Sequence, residues 1–159
     1  MFTIHLAKET FKFSCSHFTI LGPQTAERLH GHNYHVRVDI GLHEIDAELG
    51  YALDFNAVKP LVRKICDGLD ERILLPTLSP YLQLTQSADQ VTVTFTHKHY
   101  AFPSSDTLCL PITNITSEEL ARYACLKLKA DMHHLPRWTT LRWHVEETRG
   151  QSVSYALKR

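Results

Sequence analysis

The sequence lacks several features that would assign it to a broad class of protein. Its four cysteines lie far apart without a Cys-x-x-Cys pair, which argues against a disulfide framework and favours reduced, mostly buried thiols. No apolar run approaches the length of a membrane-spanning helix, and the first residues lack the basic and apolar regions of a secretory signal. These absences predict a soluble, cytoplasmic protein without a membrane partner.

The chain also lacks an excess of charge of either sign. Its 17 lysines and arginines are balanced by 17 acidic residues, so no overall positive field favours binding to nucleic acid. Internal repeats and low-complexity segments are absent as well. At 159 residues the chain is long enough for a substantial core, and we expect a single domain over residues 1–159.

Histidine, in contrast, is abundant, with 11 copies. His30 and His32 open an alternating segment that continues to about Leu42, which is typical of a strand. Because side chains alternate between the two faces of a strand, both imidazoles lie on the same, core-facing side. Neutral imidazole is a common zinc ligand, and a catalytic zinc site has three protein ligands. This pair therefore indicates two of the three ligands of a metal site.

A third imidazole is expected at His17. The residues from Phe2 to His17 alternate, which predicts a half-buried strand that ends with His17 on its apolar side. An antiparallel hairpin between this strand and the next brings His17, His30 and His32 to the same end of the sheet. Three histidines without a fourth adjacent donor suggest a catalytic zinc whose open position takes water or a substrate oxygen.

Two helices are predicted in the rest of the chain. An apolar stripe indicates the first helix, with Asp54 or Asn56 as its N-cap, and Pro60 predicts a late start or a kink because it lacks an amide hydrogen. The segment from Thr116 to Glu119 fits a capping box and begins the second helix.

The residues from about 76 to 111, between the two helices, form the least regular part of the sequence. Val91–Phe95 and Thr107–Leu110 predict strands, which we interpret as an inserted hairpin or small sheet. Alternating residues after Pro136 predict two final strands. The expected order is therefore strand, strand, helix, insertion, helix, strand, strand.

Six short motifs occur in an order that resembles one known family. The motifs are Phe13–His17, Leu29–Tyr34, Leu53–Phe55, Leu69–Asp70, Asn114–Glu118 and Val145–Thr148. Together they are similar to the 6-pyruvoyl-tetrahydropterin synthase and 6-carboxy-tetrahydropterin synthase family, and they cover the chain apart from the insertion. The His-Gly-His element with the upstream histidine is the specific part of this resemblance.

The resemblance implies an α+β tunnelling fold (T-fold), in which an antiparallel four-stranded sheet carries two helices on one face. Subunits of this family join their sheets into a barrel, usually as a hexamer made of two trimers, with active sites between subunits. It further implies a zinc lyase that acts on the side chain of dihydroneopterin triphosphate, with His17, His30 and His32 as the Zn²⁺ ligands.

The usual base of the family is missing from this chain. Most members carry a cysteine a few residues before the His-Gly-His element, where this sequence has no cysteine and instead places Glu27. The pattern resembles a variant branch that cleaves the side chain to give 6-hydroxymethyl-dihydropterin. A carboxylate can abstract a proton if burial raises its pKa and zinc acidifies the substrate hydroxyl, although Glu27 could equally be a solvated loop residue.

The acid–base relay of the family also differs. Members usually carry Asp-His after the first helix, whereas this chain has Asp70 and Glu71. Adjacent carboxylates in a buried site do not both ionise easily, so Glu71 could shuttle a proton. A surface position at a helix end is the alternative.

Substrate recognition is expected at three further residues. Glu147 matches the family glutamate that anchors the pterin ring, where a carboxylate accepts two parallel hydrogen bonds. Thr116 and Ser117 match the pair that contacts the pterin, and helix capping accounts for Thr116 equally well.

Two alternatives to a pterin lyase stay open at this point. Because both usual proton-transfer positions differ, the chain could be a pterin-binding member with weak turnover. A cupin-like metal oxygenase also places His-x-His on a strand, but it needs a glutamate where Val36 and Arg37 stand. The product, and whether folate, biopterin or deazapurine metabolism is served, are left open.

Overall fold

The fold is built around the long strand that the alternating segment predicts. The computed structural model describes residues 1–135 and 138–159, and strand β5 spans His30–Leu42 as expected. The other strands are β1 (Phe2–Leu6), β2 (Lys12–His17), β3 (Ile20–Gly22), β4 (Thr25–Ala26), β6 (Arg72–Pro76), β7 (Gln83–Gln86), β8 (Gln90–Phe95), β9 (Lys98–Pro103), β10 (Thr107–Leu110), β11 (Thr140–Thr148) and β12 (Gln151–Lys158). The helices are α1 (Phe55–Leu69), α2 (Ser117–Asp131) and a short 3₁₀ turn (Ser104–Asp106).

The main sheet contains the predicted antiparallel four-stranded unit, β2-β5-β11-β12. On the β2 side it is extended by β6 and β10, which run parallel to their neighbours, and β1 pairs with the far half of β5. The helices and the core-facing side of this sheet enclose one large apolar cluster, which includes Tyr34, Val38, Ile65, Leu128 and Trp143. The observed α+β architecture confirms the expected fold class.

The predicted single strand from Phe2 to His17 is wrong, because the structure forms two strands there. The buried side chain at the end of β1 is Leu6, at an even position, whereas β2 buries the odd positions Phe13, Cys15 and His17. A continuous strand cannot keep both parities on one face, since its side chains alternate strictly. The chain therefore leaves the sheet between β1 and β2. When it re-enters, the buried side chains lie at odd positions instead of even ones.

Helix α1 begins earlier than Pro60 suggests. Asp54 is the N-cap, and its carboxylate accepts the amide hydrogen of Asn56 at 2.8 Å. Pro60 lies inside the helix on its exposed side. A proline in a helix interior costs about 3 kcal/mol, and burial of Val58 and Val62 offsets this at about 1.5–3 kcal/mol per side chain. The predicted late start is therefore wrong, whereas the N-cap at Asp54 is confirmed.

The predicted start of α2 is confirmed, because Thr116 is its N-cap and Thr116 Oγ1 accepts the amide hydrogen of Glu119 at 3.3 Å. The reciprocal half of the capping box is not formed among the described residues, since the Glu119 carboxylate accepts from Arg122 at 2.7 Å. None of the helices in the described ranges is long and apolar enough to cross a membrane.

The insertion forms a three-stranded antiparallel sheet, β7-β8-β9, with its own small core. Thr107–Leu110 is a strand, as predicted, but it pairs with β6 in the main sheet and not with the insertion. Strand β6, whose Leu74 and Leu75 are fully buried, was not predicted from the sequence. A short apolar run of this kind shows no alternation, since both of its faces are covered.

Candidate metal and substrate site

The three predicted ligands meet at one end of the main sheet. His17, the last residue of β2, lies directly opposite His30, the first residue of β5. One nitrogen from each of His17, His30 and His32 can be chosen so that all three atoms lie within 4.8 Å of one another. His17 is buried and the other two imidazoles are partly exposed, so the cluster has one open side.

Gly31 allows the two strands to approach closely at this point. A Cβ atom at this position would lie 2.9 Å from the carbonyl oxygen of Cys15 on β2, which is too close for any other residue without a backbone shift. The His-Gly-His spacing therefore has a steric basis as well as a ligand basis.

Backbone carbonyls orient two of the imidazoles. His17 Nδ1 donates to the carbonyl oxygen of Ile115 at 3.2 Å, and His30 Nδ1 donates to that of Arg28 at 2.7 Å. Each carbonyl can only accept, so Nδ1 carries the proton and Nε2 keeps its lone pair. Carbonyls that bond to metal-ligating histidines fix the tautomer in the same way. Burial and the neighbouring His30 lower the pKa of His17, which favours the neutral form that binds a metal. The donor set therefore fits a metal ion.

Glu147 lies beside this cluster, where the sequence analysis expected the pterin anchor. Its Oε1 is 3.4 Å from His32 Nε2 and accepts the hydroxyl hydrogen of Tyr34 at 3.0 Å. The Tyr34 oxygen also lies 3.1 Å from His17 Nε2. Burial raises the pKa of Tyr34, which keeps its hydroxyl protonated.

Tyr34 is a site residue that was not predicted from the sequence. A signal was present, because Tyr34 follows His30 and His32 with the same alternation and therefore lies on the same face of β5. Its ring stacks on Phe13 and belongs to the core, so only the hydroxyl reaches the site.

Glu27 also faces the cluster, from the loop between β4 and β5. Its Oε2 lies 3.8 Å from His30 Nε2 and accepts the amide hydrogen of Thr19 at 3.3 Å. Burial raises the pKa of Glu27, but the hydrogen bonds from Thr19 and the nearby His30 outweigh this effect and lower the pKa overall. The carboxylate is therefore ionised at neutral pH, and burial does not bring its pKa towards neutrality as the sequence analysis considered.

One cleft of about 730 Å³ connects these groups. Its lining includes Glu27, His30, His32, Glu147, Thr116 and Ser117. Thr116 and Ser117 stand at the N-terminus of α2, where helix capping occupies the Thr116 hydroxyl. All three residues expected to recognise the substrate therefore line the same cleft as Glu27 and two of the three histidines.

Asp70 and Glu71 do not line this cleft. Asp70 Oδ1 accepts the amide hydrogen of Ser14 at 2.6 Å, and the Glu71 amide donates to the Ser14 carbonyl at 2.7 Å. Glu71 borders a separate cleft of about 430 Å³, whose lining includes Ser14, Ser16 and Arg72. His32 also lines this second cleft, so Glu71 borders the same cleft as one of the three histidines, whereas neither acid lines the cleft that contains Glu27, His30 and Glu147.

Cys15 is not a substitute for the missing cysteine base. It pairs with His32 across the strands, but its side chain is buried. Burial, with the charge of Glu147, raises the pKa of the thiol to about 12, so it stays protonated at neutral pH.

The sequence and the fold are similar to those of known pterin enzymes. The family model of 6-pyruvoyl tetrahydropterin synthase matches residues 5–158. The chain is 28% identical over 148 residues to a putative 6-carboxy-5,6,7,8-tetrahydropterin synthase of Methanocaldococcus jannaschii, which covers 91% of this chain and 88% of that protein.

Solved structures of 6-pyruvoyl tetrahydropterin synthase have a similar fold. The Plasmodium vivax protein matches with a TM-score of 0.90 and 27% identity, over 99% of this chain and 98% of that one. The Plasmodium falciparum protein matches with the same TM-score and coverage at 25% identity. Two further P. vivax structures carry alanine or cysteine in place of a glutamate described as a catalytic residue. These matches overturn the cupin-like alternative, because the chain shares the fold of the pterin synthases.

Proposed function

The chain belongs to the 6-pyruvoyl tetrahydropterin synthase family, and from this premise we propose that it is a zinc-dependent lyase acting on the side chain of dihydroneopterin triphosphate. Enzymes of this family are lyases of pterin biosynthesis. The observation that carries the proposal is the convergence of three histidines, Glu27 and Glu147 around one cleft.

His17, His30 and His32 would hold the zinc ion. Three imidazole donors leave one position for a substrate oxygen, as in catalytic zinc sites. The ion would supply Lewis acidity, which acidifies a side-chain hydroxyl of the substrate and stabilises negative charge on its oxygen. The carbonyls of Ile115 and Arg28 support this role, since they hold two of the imidazoles in the required tautomer.

Glu147 would recognise the pterin ring. Its carboxylate can accept two parallel hydrogen bonds from a ring N–H and the exocyclic amine. The Tyr34 hydroxyl occupies one lone pair of Oε1 and thereby restricts the rotation of the carboxylate. Thr116 and Ser117 would contact the substrate from the N-terminus of α2.

Glu27 would act as the general base. It is ionised, it lies beside the metal ligand His30, and it borders the cleft. The role described for a glutamate of the P. vivax enzyme supports a carboxylate in this task. A carboxylate is a weaker base than a thiolate, so it depends on the acidity that the metal confers on the substrate hydroxyl. The corresponding product is 6-hydroxymethyl-dihydropterin.

Asp70 and Glu71 would act on the cleft of a neighbouring subunit. Neither acid lines the cleft that contains Glu27 and Glu147, and Glu71 borders a second cleft. Strands β1 and β12 each pair on one side only among the described residues, which supports the joining of subunit sheets into a barrel. We propose a cytoplasmic hexamer of two trimers, which sedimentation equilibrium would test.

Turnover by the purified zinc form tests the proposal directly. Dihydroneopterin triphosphate should be converted, with 6-hydroxymethyl-dihydropterin identified by mass spectrometry, and Glu27→Gln should abolish product formation while zinc is retained. Tight pterin binding without any turnover would instead favour the alternative of a pterin-binding family member. Bound iron or manganese in place of zinc would contradict the proposed cofactor.

A further inference from the structure

The inserted sheet covers the loop that carries Glu27. The segment from Phe18 to Ala26 leaves β2, forms the small β3-β4 pair and returns to β5. Phe18, the residue after the ligand His17, stacks on Tyr100 of the insertion with ring centroids 5.5 Å apart, and Tyr100 stacks on Phe102 at 5.7 Å. Phe18 and Ile20 thus belong to the small core of the insertion.

Lys98, the first residue of β9, makes the polar contact between the insertion and this loop. Its Nζ donates to the carbonyl oxygens of Ala26 at 3.2 Å and Glu27 at 2.9 Å. Hydrogen bonds from an ammonium group are stronger than neutral ones. No carboxylate among the described residues forms an ion pair with Lys98, and Lys98 is absent from the lining of the histidine cleft. The Lys98 ammonium group therefore contacts the loop backbone and does not line the histidine cleft.

Glu27 is held at three points as a result. Its amide donates to the Thr19 carbonyl at 2.9 Å, its carboxylate accepts the Thr19 amide hydrogen at 3.3 Å, and its carbonyl accepts from Lys98. The first two contacts lie within the loop itself. Lys98 alone among the three connects Glu27 to a separate sheet. The start of the loop is tied separately, since the Asn114 side chain bonds to the amide and the carbonyl of Ile20 at 3.0 and 2.8 Å.

We propose that Lys98 is a positioning residue, whose ammonium group fixes the Ala26 and Glu27 carbonyls so that the Glu27 carboxylate stays beside His30. This inference rests on the proposed function, and it gives the insertion a role in catalysis. Its action is indirect, since Lys98 contacts the backbone of the base and not the cleft. Misplacement of a reacting group by about 1 Å can reduce a rate by about 10²-fold, so loss of this support should slow the reaction.

Hydrogen exchange measures the positioning without any turnover. In the zinc-free and zinc-loaded protein, Lys98→Met should speed amide exchange of residues 19–27 by about ten-fold, because the loop opens more often. Lys129→Met is the matched control, since this lysine is exposed on α2 and distant in sequence from the loop. Unchanged exchange in Lys98→Met would overturn the inference. If Lys98→Met fails to fold, Lys98→Gln removes the charge with less loss of polarity.

Steady-state kinetics then separate positioning from substrate binding. Lys98→Met should lower kcat by about 10- to 100-fold with KM and zinc content little changed, and Lys98→Arg should recover most of the rate. A rise in KM alone would overturn the inference in favour of a contact with the substrate phosphates. Absence of turnover in the wild-type protein would defeat the proposed function, whereas the exchange experiment would still decide whether Lys98 holds the loop.

Discussion

The metal-binding half and the proton-transfer half of the candidate site are built in different ways. His17, His30 and His32 lie on two paired strands, where sheet register and close approach at Gly31 determine their separation. Glu27 lies on a loop and depends on Thr19 and on Lys98 from a distant part of the chain. The proposed ligands thus lie on paired strands, and the proposed base lies on a loop. We therefore expect that sequence change can rebuild the proposed proton-transfer half without disturbing the proposed metal site.

The largest expected effect comes from breaking the metal half. His30→Ala should remove stoichiometric zinc and reduce turnover by more than about 10³-fold, since one of three ligands is lost. Zinc content by elemental analysis and turnover of the same preparation measure both effects. The comparison with Glu27→Gln is decisive, because that variant should lose turnover and keep zinc. Loss of zinc in both variants would contradict the division into two halves.

A smaller effect is expected at the ring anchor. Glu147→Gln should weaken pterin binding by about 10- to 100-fold, because hydrogen bonds to a charged group contribute about 1.5–3 kcal/mol. Titration with a pterin lacking the triphosphate side chain isolates this contact. Zinc content serves as the control, and it should stay unchanged.

Tyr34→Phe should give a still smaller effect that spans both halves. The variant keeps the ring that stacks on Phe13 and removes only the hydroxyl between Glu147 and His17. Loss of one such hydrogen bond costs about 1 kcal/mol, so we expect about a five-fold loss in pterin affinity. Wild-type affinity in Tyr34→Phe would mean that the hydroxyl does not orient Glu147.

A last expected effect concerns the stability of the fold and involves the face of β5 opposite the site. Asp39 is buried there and accepts hydrogen bonds from His5 and His144, each at 2.6 Å, and from Arg37 at 3.1 Å. Burial raises the pKa of Asp39, but these hydrogen bonds outweigh it and lower the pKa overall. A carboxyl with a lowered folded pKa stabilises the protein above its ordinary pKa, and this contribution disappears as the pH falls through the folded value.

The corresponding measurement is thermal unfolding of Asp39→Asn at several pH values. We expect a loss of about 1–2 kcal/mol near pH 7, with the difference from wild type shrinking below about pH 4. The site cleft lies on the other face, so zinc content should be unaffected. A difference that persists undiminished at low pH would show that the carboxylate charge is not responsible.

Much of the secondary structure could be predicted from local sequence patterns. Strict alternation identified β5 and the inward direction of His30 and His32, and the capping box identified the start of α2. Alternation over Phe2–His17 did not predict the break between β1 and β2, although the buried positions change from even to odd after Leu6. Strand β6 was not predicted, because its buried run at Leu74 and Leu75 has no alternation. Strand β10 was predicted, but its parallel pairing with β6 joins residues far apart in sequence and has no local signal.

The three histidines, Glu147 as a candidate ring anchor and the family could be predicted from the sequence alone, because each depends on residue identity at short spacing or on motif order. Tertiary contacts were needed to show that the Tyr34 hydroxyl lies between Glu147 and His17 and that Lys98 donates to the carbonyl of Glu27. They were also needed to show that Asp70 and Glu71 lie outside the cleft that contains Glu27 and Glu147. Distance along the chain explains this difference. These contacts join residues separated by tens of positions, and their free energy arises only after the strands have paired and the insertion has packed.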